Sequence, residues 1–103
     1  MTRVVVTPAA KGDIVEITEY LEAQAGLSVA WRYVEHVRSA LAELATHPEI
    51  GSPRPKLGAA TRLIVIEPYL LFYRFRSDHN EVHVLRIVHG KRLIAARMLS
   101  RRS

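Results

Sequence analysis

Apolar residues recur at intervals of three and four through the first half of the chain, then give way to shorter, denser runs in the second. Ahead of both, Val4-Val5-Val6 is a β-branched run that predicts one short strand. Thr7-Pro8 marks a helix start, with a hydroxyl at the N-cap and a proline where its missing N–H is not needed. Ala10, Ile14, Ile17 and Leu21 follow at spacings of four, three and four and line one helical face. Asp13, Glu16, Glu19 and Glu22 fall mostly off that stripe, and Asp13 and Glu16 are placed to suit the helix dipole.

Gly26 ends this helix, and Ser28 is expected to cap the next. Ala30, Val34, Val37, Leu41 and Leu44 form its stripe, widened by Tyr33 and Ala40. His47-Pro48 stops it, because the residue before proline is pushed out of helical geometry. The Pro- and Gly-rich stretch 47–60 predicts a surface loop.

Strand-like segments then run over Arg62–Ile66, Tyr69–Phe75 and Val82–Val88, separated by Glu67-Pro68 and the turn cluster Ser77–Asn80. Such short links favour antiparallel pairing. In the middle segment, alternation puts Tyr69, Leu71, Tyr73 and Phe75 on one face and Leu70, Phe72, Arg74 and Arg76 on the other. The expected fold class is α+β: an N-terminal strand and a helical hairpin packed on an antiparallel sheet, in the order β-α-α-β-β-β. A basic tail at about 95–103 completes a single domain over 1–103, with Leu93–Leu99 as a short helix or extended segment.

Composition narrows the chemistry. The 103 residues include no cysteine, which excludes disulfides, thiolate nucleophiles and iron–sulfur clusters. No apolar run approaches the ~18 residues of a membrane span, and the first residues do not resemble a signal peptide. A cytoplasmic protein without membrane association is expected.

The formal charge of +5 conceals a division: residues 1–50 carry a net −3 and residues 51–103 a net +8. An acidic hairpin would be repelled by phosphate, which argues against DNA recognition by its second helix. The basic half is the expected contact surface for an anionic partner.

The five histidines show no metal-ligand spacing. His83 and His89 lie an even number of residues apart and are expected to share a strand face, yet two ligands without a third make a poor metal site. No cofactor motif is present: there is no phosphate-cradling glycine loop and no nucleophile elbow. The stronger signal is basic, in Arg62, Arg74 and Arg86 on the strands and His89, Lys91 and Arg92 around a glycine-hinged turn. On one sheet face or edge, these groups would hold RNA phosphates or an acidic protein surface equally well.

Thr7-Pro8-Ala9-Ala10, Asp13-Ile14, Ile17, Tyr20-Leu21, the Gly51-Ser52-Pro53-Arg54 loop, Tyr69–Phe75 and Val84–Arg92 together resemble the ParE/RelE toxin superfamily, the ParE branch more closely. The resemblance runs from about residue 3 to residue 94. It implies the toxin of a type II toxin–antitoxin pair, masked by a cognate, ParD-like antitoxin in a hetero-oligomer. ParE-like toxins poison DNA gyrase; RelE-like toxins cut mRNA on the ribosome.

RelE-type cleavage implies three groups: an arginine after the tyrosine of the middle strand, the arginine of the Gly-Lys-Arg turn, and a later tyrosine. Here these positions fall at Leu70, Arg92 and Met98. Leucine cannot stabilise a developing phosphorane charge, and methionine cannot transfer a proton. The expectation is therefore a non-enzymatic gyrase inhibitor whose target-binding residues are Arg62, Arg74, Arg86, His89, Lys91 and Arg92. The alternatives are a ribosome-dependent endoribonuclease using Arg92, His89 and Lys91, and a nontoxic protein-binding module.

Overall fold

The computed structural model describes residues 1–91. Strand β1 (Arg3–Val6) leads into α1 (Pro8–Ala25) and α2 (Leu27–Thr46), then β2 (Ser52–Pro53), β3 (Thr61–Ile66), β4 (Tyr69–Arg76) and β5 (Glu81–His89). Arg92, Met98 and the basic tail lie outside the described residues, as does the helix or extended segment expected at Leu93–Leu99.

Thr7 starts α1 as the sequence predicts. Its Oγ1 accepts from Ala10 N–H at 3.2 Å and donates to the Val84 carbonyl at 2.8 Å, so one hydroxyl caps the helix and ties it to β5. Gly26 closes the hairpin alone. At φ 94° it donates its N–H to the Glu22 carbonyl, and its own carbonyl accepts from Ala30 N–H. Because one glycine serves both helix ends, Ser28 falls inside the first turn of α2 and does not cap it; α2 has no side-chain cap.

The sheet order is β1-β5-β4-β3-β2. Strands β2 to β5 pair antiparallel, while β1 joins β5 in parallel, Arg3 opposite Glu81 through Val6 opposite Val84. The loop expected over 47–60 holds the two-residue strand β2 and a 3-10 turn at Pro55–Leu57. Both helices cover one face. Ala10, Ile17, Tyr33, Val37 and Leu44 meet Ile66, Tyr69, Leu71, Tyr73, Val82, Val84 and Ile87 in one buried cluster. The face split expected for β4 holds, with Tyr69, Leu71 and Tyr73 buried under the helices.

A bulge interrupts β5. Phe72 lies opposite Arg86 but Tyr73 lies opposite Val84, so Leu85 is an extra residue. Buried positions therefore step from Val84 to Ile87. This shift overturns one expectation: His83 pairs with Arg74 and His89 with Tyr69, residues on opposite faces of β4. An inserted residue reverses the parity that relates two positions of a strand. Among the described residues, no group of three His, Cys, Asp or Glu is placed to hold a metal ion.

Candidate binding cleft

Beyond Val84, β1 no longer runs beside β5, and α1 takes over that edge. Asp13 is the residue that makes the contact. Its Oδ2 accepts from the Ile87 N–H at 2.9 Å, which supplies the acceptor a neighbouring strand would have offered. The same carboxylate holds Arg86 as a fork, Oδ2 to Nε at 2.7 Å and Oδ1 to Nη2 at 3.0 Å. The bond to Asp13 raises the Arg86 pKa above its ordinary value. Asp13, expected to serve the helix dipole, lies beyond the first turn of α1 and bridges instead to the sheet.

A cleft of about 610 Å³ opens beside this pair, between α1 and the end of β5. Ile17, Tyr69 and Ile87 are buried beneath it. Tyr20 is 60% exposed on its rim, with Glu16, His89 and Lys91 around the opening. An aromatic series backs it. Tyr33 and Tyr69 rings lie 5.2 Å apart and tilted, and the Tyr69 and His89 rings meet edge to face at 5.6 Å. Burial pushes the Tyr33 phenol well above the usual tyrosine range and raises that of Tyr69. His89 Nδ1 accepts from the Lys91 N–H at 3.2 Å, so a neutral ring carries its proton on Nε2 and presents a donor there.

The basic positions expected to form one surface separate into three places. Arg86, His89 and Lys91 line the cleft. Arg62 is committed elsewhere, donating to the carbonyls of Glu49 and Gly51 at 2.9 and 2.7 Å and pairing with the Glu49 carboxylate. Arg74 projects from the sheet face away from the helices, opposite Thr61 and His83. Alternation sends Arg62 and Arg74 to opposite faces, the bulge turns His89 away from the Arg74 side, and the fork with Asp13 holds Arg86 at the sheet edge beside the cleft.

Asp13, Glu16, Tyr20 and Tyr69 are cleft residues that the basic pattern did not single out. One signal was available for Asp13: it precedes Ile17 by one helical turn, at the margin of the buried stripe, where an acid meets the neighbouring layer.

The cleft's apolar floor, exposed phenol and flanking Lys91 suit a peptide side chain with an acidic neighbour. The fork of Arg86 is already matched by Asp13, and a phenol whose pKa is raised by burial is a poor proton donor or acceptor near neutrality. Leu70 faces away from the cleft, across from Val65 and Val88.

Residues 4–94 match the family described as ParE toxin of type II toxin-antitoxin system, parDE. Toxin ParE3 of Caulobacter vibrioides is 26% identical over 98 residues, which span 95% of this chain and 96% of the relative. Toxin ParE1 of the same organism is 29% identical over 80 residues, 78% of this chain and 80% of its own. Among solved structures, one from the chromosomal ParDE system of P. aeruginosa superimposes with a TM-score of 0.72 at 22% identity, over 86% of this chain and 96% of its own.

Proposed function

Since the chain belongs to the ParE toxin family of type II toxin–antitoxin systems, we propose that it inhibits DNA gyrase without enzymatic chemistry and is neutralised by a cognate, ParD-like antitoxin. Toxin and antitoxin would assemble as a hetero-oligomer in the cytoplasm. Among the described residues no helix is long and apolar enough to cross a membrane.

The observation that carries the non-enzymatic reading is the Asp13–Arg86 fork. It neutralises the one arginine that lines the cleft among the described residues, so Arg86 is not free to stabilise a phosphorane beside His89 and Lys91. Leu70 lies on the other sheet face, so no residue of the RelE-type set meets them there among the described residues. His89 and Lys91, with Arg92 next in the chain, are the proposed target contacts. Arg62 and Arg86 hold the scaffold that presents them. The cleft and the apolar sheet surface would receive an amphipathic segment of the antitoxin that folds on binding.

Purified chain added to gyrase and relaxed plasmid should block supercoiling and accumulate cleaved DNA complexes. Transcripts cut during translation, with gyrase unaffected, would identify a ribosome-dependent endoribonuclease instead. Growth unimpaired on induction, with no binding by the small protein encoded beside it, would leave only a nontoxic binding module.

A further inference from the structure

Thr61 and Arg74 are direct partners across β3 and β4, on the sheet face turned away from the helices. Thr61 is 3% exposed, and its Oγ1 has no hydrogen-bond partner among the described residues. The Nε of Arg74 is equally covered and equally unpaired. Other strand arginines are engaged: Arg62 with Glu49, Arg76 with Asp78, Arg86 with Asp13. The turn at Gly58 closes over the pair. A Cβ at that position would lie 3.0 Å from Thr61 Oγ1 and 3.4 Å from Arg74 Nη2, so both groups converge beneath it. An orphaned hydroxyl beside a permanent, unpaired cation costs stability unless a ligand completes the set.

We propose that Arg74 and Thr61 form a receiving site for one carboxylate from an acidic segment of a protein partner. This rests on the reading that a protein antitoxin neutralises the chain. The carboxylate draws the guanidinium from beneath Gly58, engaging Nε and Nη2 side by side, and the uncovered Thr61 hydroxyl donates to it. Leu63 and Phe72 are the next register partners on the same face, both buried but outside the cluster under the helices. Val65, 56% exposed, continues this apolar strip. A covered, unpaired guanidinium nitrogen beside an unpaired hydroxyl at the end of an apolar strip matches an amphipathic acidic peptide. A nucleic-acid backbone carries a charge at every nucleotide and requires a row of free cations, whereas Arg62, Arg76 and Arg86 on these strands are already paired.

The test is titration of the full chain with sodium acetate at constant ionic strength, following the 15N–1H signal of Arg74 Nε. Acetate should shift that signal saturably and chloride should not. Thr61→Val, which removes an unpaired hydroxyl and keeps the side-chain shape, should fold normally and weaken acetate binding roughly fivefold. Arg74→Gln should abolish the response, with the amide spectrum confirming the fold.

Absence of a saturable shift would overturn the proposal. So would a thymidine oligonucleotide that moves the signal at a lower concentration than acetate, since that would mark a nucleic-acid contact. Acetate binding requires no antitoxin, so a positive titration with no antitoxin captured would sink the neutralisation reading and retain the carboxylate site. An antitoxin that binds wild type and Arg74→Gln equally well would remove this site and leave that reading in place.

Discussion

Asp13 and Arg86, 73 residues apart, form a two-point fork that locks α1 onto β5 where the parallel strand β1 ends. The Asp13 side chain is 11% exposed and Arg86 56%, so the two halves of the pair do not contribute equally. Asp13 also serves the Ile87 N–H, a donor beyond the last residue that β1 pairs.

Asp13→Ala should therefore destabilise the chain by about 1.5–3 kcal/mol, because it orphans both a guanidinium and a backbone donor. Arg86→Ala should cost less, on the order of 1 kcal/mol, since a half-exposed cation gains little from pairing in high dielectric. Urea denaturation of the two variants checks the order; equal losses would refute the bridging role of Asp13.

Tyr73 and Gly51 lock the segment that follows α2. The phenol donates to the Pro48 carbonyl at 2.8 Å and accepts from the Gly51 N–H at 2.9 Å. A Cβ on Gly51 would fall 2.7 Å from the Tyr73 oxygen and 2.9 Å from the Leu63 carbonyl. Gly51→Ala should then cost about 1–3 kcal/mol through steric displacement. Tyr73→Phe should cost about 1–2 kcal/mol through lost hydrogen bonds. Thermal melts of each and of the double variant should show sub-additive losses, because both break the same contact.

Tyr33 behaves oppositely. Its hydroxyl is buried without a hydrogen-bond partner, so Tyr33→Phe should be neutral or stabilising by up to about 1 kcal/mol. Desolvation raises the pKa values of Tyr33, Tyr69 and Tyr73. A raised folded-state pKa means that the folded chain keeps protons the unfolded chain loses. The corresponding stability is complete below the ordinary tyrosine value of about 10 and is lost as pH rises above it. Tyrosinate absorbance should rise together with loss of the far-ultraviolet circular dichroism in one alkaline transition, and Tyr33→Phe should move that transition to higher pH.

His89→Ala combined with Lys91→Ala removes exposed or partly exposed groups at the cleft mouth. The double variant should keep its stability within about 0.5–1 kcal/mol, as surface substitutions usually do. It should lose most of its effect on gyrase supercoiling. Retained inhibition at wild-type concentration would move the target contacts away from this turn.

The helices, their faces and the antiparallel strands were legible because each follows from a local period: three and four for the buried stripes, two for Tyr69, Leu71 and Tyr73. Thr7 could be placed as a cap for the same reason, since its role depends on the residues next to it. The basic set was legible only as composition. Nothing local distinguishes Arg62, spent on Glu49 and Gly51, from Arg74, left unpaired, or from Arg86, matched by Asp13.

The sequence by itself determined the α+β class, the acidic hairpin ahead of a basic half, and the resemblance that the family match bears out. Tertiary structure decided the rest. Parallel pairing of β1 with β5 joins residues almost eighty positions apart, and no local period encodes that distance. The extra residue at Leu85 reverses strand parity, which sends His83 and His89 to opposite faces and parts His89 from Arg74. Charge is a property of composition, whereas its partners are a property of packing. The partners leave His89 and Lys91 at the cleft mouth and Arg74, on the opposite face, without a counter-charge.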